Sequence, residues 1–167
     1  DNYKERWIRD NQISTLKPMR FELASFYRLV RDKNYIHFLK EVDTKVVQLT
    51  FFGLKEMTDK YVGRKNAFEE LLEATEILIK NQIAPRWQAF INEENKEEVV
   101  QLLNLIDSLN LYERCKAFNS EFKFFVHAGS CDGENRKLYP IRIKDVPEKL
   151  IPYFLDYDLQ ETEQQKI

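Results

Sequence analysis

Leu16, Met19, Leu23, Phe26, Tyr27 and Val30 recur three and four positions apart, which predicts an amphipathic helix over 18–32 with Pro18 in its first turn. A second stripe, Tyr35, Phe38, Leu39, Val42, Val46, Leu49 and Met57, keeps that spacing and predicts a long helix over 34–61. The piece TKVVQLTFF inside it is rich in β-branched and aromatic residues and suits a strand. The three-four spacing continues through it, and the helix is preferred.

After Gly63, Asn66 with Glu69 three residues on has the pattern of a helix start, followed by Phe68, Leu71, Leu72, Thr75, Leu78 and Ile79 on one face. Pro85 removes a backbone donor and is expected to kink or end this helix, with RWQAFI as a short continuation. Asn95 and Glu98 repeat the capping pattern, and Val99, Leu102, Leu103, Ile106, Leu109 and Tyr112 predict one helix to about Phe118. The period then changes to two. Phe122, Phe124 and Val126 in EFKFFVH, and Tyr139, Ile141 and Ile143 in LYPIRI, predict paired strands joined by the intervening loop. Asp145, Pro147 and Glu148 open a short helix carrying Leu150, Ile151, Phe154 and Leu155.

These elements predict a mainly α (α+β) protein: a helical bundle of about four main helices, with a small C-terminal antiparallel β-hairpin and a short terminal helix, over residues 1–155. Residues 156–167 have little to bury and are expected to be a flexible acidic tail. The 167-residue length fits one core, and only four glycines and five prolines among them favour long helices over loops.

Charge and cysteine content narrow the class. The net charge of -2 conceals segments of +3 over 1–31, -5 over 67–98 and +3 over 136–149, so basic ends flank an acidic middle. Cys115 and Cys131 could form at most one disulfide, which predicts reduced thiols and a cytoplasmic setting. No apolar run reaches the length of a membrane span, and no membrane partner is expected.

Several groupings bear on chemistry. The segment VHAGSCDGENRKLYP puts His127 near Cys131 in a glycine-rich stretch, a pairing suited to a thiolate nucleophile or, with Cys115, to zinc. The same glycines and Asp, Ser and Asn residues are what a long turn requires, and the turn is the preferred reading. No cofactor or metal is expected.

In RDKNYIH, Arg31, Asp32 and His37 stand in the order R-polar-x4-H. This resembles the active-site motif of HEPN ribonucleases, an all-helical family. The resemblance implies metal-independent RNA cleavage by Arg31 and His37 contributed from two protomers across a dimer interface. The N-terminal segment offers Lys4, Arg6 and Arg9 beside Trp7, able to contact phosphates and stack on a base. Trp7 would equally anchor in a protein groove, and Arg136 and Lys137 would contact a partner from their loop. The reading preferred from sequence is a noncatalytic interaction or regulatory module, bound to a protein partner or to the rest of a larger chain. A nucleic-acid-associated domain that binds RNA or DNA is the alternative, the HEPN-like nuclease being its most specific form.

Overall fold

The computed structural model describes residues 4–5, 21–22, 26–128 and 141–154. In them strands alternate with helices, and the strands form one parallel sheet. The order is β1 (Phe21–Glu22), α1 (Phe26–Arg31), α2 (Lys33–Glu41), β2 (Val46–Phe51), α3 (Lys55–Val62), α4 (Ala67–Lys80), β3 (Ala84–Ile91), α5 (Lys96–Ser108), α6 (Leu111–Lys116) and β4 (Lys123–Ala128). Short 3-10 turns follow at Ile143–Asp145 and Glu148–Tyr153. The sheet runs β1-β2-β3-β4 with every pair parallel, β1 being only a two-residue edge.

This architecture replaces the expected helical bundle. The segment predicted as one helix over 34–61 is α2, β2 and α3, and its β-branched middle is the strand. Val47, Leu49 and Phe51 alternate as buried positions along β2, a period of two that three-four spacing had masked. Within 18–32, Phe21 and Glu22 pair with Val46 and Val47 as a strand, and helix begins at Phe26. RWQAFI is strand rather than helix. Pro85 is tolerated inside β3 because Ala84 N–H already donates to Lys45 O on the β2 side. Neighbouring residues of a strand address opposite sides, so the missing Pro85 donor faces β4, whose pairing starts only at Arg86↔Lys123.

The C-terminal hairpin is also absent among the described residues. Its first strand exists as β4, but it pairs in parallel with β3. Ile141 and Arg142 lie outside any strand, and Ile143 opens a 3-10 turn. The loop between the expected strands, 129–140, and the acidic tail lie outside the described residues. Phe154 makes a parallel bridge to Val126 and so covers part of the outer edge of β4. The helix expected to run to Phe118 is broken at Asn110, whose φ of 55° turns the chain between α5 and α6.

Parallel crossovers are right-handed almost without exception, so a strand order that never reverses places its helices on one face of the sheet. The packing agrees. Phe51 and Trp87, both fully buried, point to the helix side, where Phe51 meets Phe68 of α4 edge-on at 6.2 Å and Trp87 Nε1 donates to Thr75 Oγ1 of α4 at 3.1 Å. Leu71, Leu78, Val99, Leu102 and Ile106 complete this core from α4 and α5. No helix among the described residues is long and apolar enough to cross a membrane.

Candidate functional site

Alternation along the strands leaves the other face of the sheet with a different composition. Register aligns its half-buried positions in three rows. Gln48, Arg86 and the exposed Lys123 form the first; Thr50, Gln88 and Phe125 the second; Phe90 and His127 the third, nearest the C-terminal ends of the strands. Gln88 Nε2 donates to Thr50 Oγ1 at 2.7 Å, tying the second row across β2 and β3. The Arg86 guanidinium lies 4.3 Å from the centre of the Phe125 ring, a cation–π contact between diagonal neighbours. Its charge is thus held beside Phe125, whose row lies two residues, about 7 Å, along the strands from the third.

The third row continues into an aromatic rim. His127 packs on Phe90 at 5.4 Å, Phe90 on Phe52 at 6.0 Å and Phe52 on Tyr61 at 5.3 Å, the last two pairs stacked. Phe52 follows β2 directly, and Tyr61 comes from the last turn of α3. The turn after β3 holds this rim in place. Asn95 Nδ2 donates to Phe52 O and to Phe90 O, both at 2.8 Å, and its Oδ1 accepts from Asn92 N at 2.8 Å. Asn92 Oδ1 accepts in return from Asn95 N at 3.0 Å and from Glu94 N at 2.9 Å, while its Nδ2 donates to Tyr61 Oη at 2.8 Å.

Electrostatics at the rim follow from that packing. Tyr61 Oη donates to Glu94 Oε2 at 3.0 Å, and Lys60 pairs with Glu94 Oε1. Lys60 holds the Glu94 carboxyl below the usual range. Burial raises the Tyr61 hydroxyl above its ordinary value. Glu98 caps α3: its Oε1 accepts from Leu54 N at 2.8 Å and Met57 N at 3.3 Å. Gly53 makes this approach possible, since its φ is 141° and a Cβ there would lie 2.7 Å from Glu98 Cβ.

The residues singled out from sequence fall elsewhere. Arg31 ends α1 with its ion pair to Glu70 Oε1 at 2.7 Å and its guanidinium 4.1 Å from the Tyr27 ring centre. Asp32 caps α2 by accepting from Asn34 N at 3.0 Å, and His37 is exposed on α2. The motif thus spans a helix junction, and the parallel sheet differs from the all-helical frame that the HEPN resemblance implies. Lys4 lies 5.8 Å over the Phe38 ring. Arg6, Trp7, Arg9, Cys131, Arg136 and Lys137 lie outside the described residues. Cys115 is fully buried on α6, and burial pushes its thiol up to about 11. His127 belongs to the aromatic rim. Among the described residues no three His, Cys, Asp or Glu side chains are grouped to hold a metal ion.

Gln48, Thr50, Arg86 and Gln88 escaped notice because a helical reading scatters them over a solvent face, and Phe90 was expected in the core beside Trp87 and Ile91. The signal was present as alternation in VQLTF and RWQAFI. Together the fold and this face define a one-sided parallel β/α domain with a polar sheet face and an aromatic rim. No protein-family model matches the chain, and a search of curated proteins finds no match.

Proposed function

We propose that the polar sheet face binds a small organic acid that carries a planar ring. The observation supporting this is the pairing of the Arg86 guanidinium with the aromatic row about 7 Å farther along the strands. A ring stacked on Phe90 and His127 places a carboxylate or phosphate, joined to it directly or through a short linker, within reach of Arg86, with Thr50 and Gln88 offering a hydroxyl and an amide between them. Phe90 and His127 also stand near the C-terminal ends of their strands, the end at which parallel β/α barrels bind their ligands. The test is a binding screen of nucleoside monophosphates and aromatic carboxylates, followed through the Phe125 and His127 NMR signals. A binder should lose about tenfold or more in affinity with Arg86→Gln, the scale of one charge-assisted hydrogen bond. Equal affinity in that variant, or no probe that moves those signals, rejects the reading.

An interaction module is the second reading, supported by a separate surface. Tyr27 is 44% exposed, with Arg31 at 4.1 Å and Arg64 at 5.0 Å from its ring centre, and tyrosine and arginine are the residues enriched where protein partners bind most tightly. A photo-crosslinking residue at position 27 tests it. Crosslinks to one defined protein should disappear in Arg31→Ala, and an unchanged pattern rejects this surface.

A further inference from the structure

Asn95 occupies a place in the turn after β3 that a turn residue does not need to occupy. Its expected role, as a helix cap for α5, is not performed: its side chain makes no capping bond to that helix. The carboxamide is 1% exposed as part of the residue, and both of its N–H groups are spent on carbonyls at two strand ends, Phe52 O just after β2 and Phe90 O in β3. Those two residues carry the stacked rings in the middle of the aromatic rim. Its oxygen is held by Asn92 N, and Asn92 in turn reaches Tyr61, the outer member of the rim. One side chain therefore links the backbone beneath two rim rings and, through one neighbour, the hydroxyl of a third.

We infer that Asn95 is the positioning residue of the proposed ligand site: it fixes the separation of the β2 and β3 ends and thereby the stacking of buried Phe52 on Phe90, the ring that with His127 would receive a planar ligand. The inference rests on the proposed binding reading for its purpose, but its geometric claim is separate. Hydrogen-bond direction supports it. Two donors on one rigid planar group constrain two carbonyls at once, and no carboxylate or hydroxyl side chain can supply both. The buried site also excludes the water that could replace a lost donor.

The experiment uses Asn95→Asp, which keeps shape and the acceptor for Asn92 N but removes the paired donors, and Asn95→Ser, which keeps at most one. The readout is the imidazole carbon-bound proton signal of His127, which sits on the Phe90 ring, with exposed His37 as internal reference and the Trp87 indole N–H as a reporter from the opposite face. The expected result is a displaced His127 signal in both variants, with His37 and the Trp87 indole unmoved. Any nucleoside monophosphate or aromatic carboxylate bound by the wild type should bind about tenfold more weakly. A folded variant whose His127 signal stays in place overturns the inference. So does a shift of Trp87 equal to that of His127, or failure of both variants to fold, since either makes Asn95 a general folding residue. If no probe binds the wild type while His127 moves as expected, the ligand reading fails and the positioning of the rim by Asn95 stands.

Discussion

The Trp87 indole donates to Thr75 Oγ1 at 3.1 Å, and the same hydroxyl donates onward to Leu71 O at 2.9 Å. Both residues are fully buried, so the hydroxyl joins the central strand to the helix layer without water. Thr75→Val keeps the shape and strands a buried indole N–H. The expected loss is about 1–3 kcal/mol, read from the urea midpoint, with Thr75→Ser recovering most of it. A valine variant as stable as the wild type would show that the bond contributes nothing.

Gly53 leaves no room for a side chain. At φ 141° an alanine is strained, and its Cβ would lie 2.7 Å from Glu98 Cβ, the stem of the carboxylate that caps α3. Gly53→Ala should cost about 2 kcal/mol or more, since a strained backbone and a lost cap act together. Glu98→Gln removes the cap's charge alone and should cost less. The order of the two denaturation midpoints checks this.

Acid should weaken the fold through two carboxylates. Lys60 chiefly depresses Glu94, with Tyr61 helping, against the effect of burial. Burial raises Asp59, but the Phe68 and Asn66 amides, at 2.9 and 3.0 Å, and Lys55 outweigh it and leave the carboxyl depressed. In the unfolded chain such groups titrate near about 4. Their stabilisation is thus complete above that pH and is lost as pH falls through their lower folded values. Glu94→Gln and Asp59→Asn should differ from wild type at pH 7 and converge with it in acid. A difference that persists unchanged below about pH 3 would count against the assignment.

Cys115 should behave as a buried apolar group. With its thiol pushed up to about 11 and no exposure, it should resist alkylation until the protein opens. In Cys131→Ser, labelling of Cys115 should rise with urea in step with unfolding. The same raised value predicts stability lost as pH climbs above the ordinary thiol range, because only the unfolded chain then ionises. Rapid labelling of the native variant would contradict the burial.

The sequence revealed some elements and hid others for identifiable reasons. The long α4 and α5 were legible because their apolar faces are strongly periodic and extend over several turns. β2 and β3 were hidden because fully buried and half-buried positions alternate within runs that also satisfy three-four spacing. Glycine scarcity compounded the error. Asp43, Gln82, Asn110 and Asn119 adopt φ of 60°, 61°, 55° and 58° at the ends of helices, where glycine is the familiar signal, so the chain turns without announcing it. Capping was misassigned as well. The side chain of Asn66 makes no bond to α4, whose first amides are met by Asp59 instead, and Glu98 serves a helix 41 residues away from it in sequence. Of the candidate site, only His127 was read from sequence as a functional residue, and for a different partner. Proximity across parallel strands depends on register, which no local window contains.

Because the order of the described strands never reverses, the turns that leave β2 and β3 open onto the same edge, and among the described residues no reversal of strand order divides that edge into halves. If the polar face binds a ligand as proposed, changes confined to these turns would alter which molecule fits while the Trp87 side of the sheet keeps its packing. On the proposed reading, ligand contact and helix packing use opposite faces of the same three full-length strands, and the two can vary with little mutual cost.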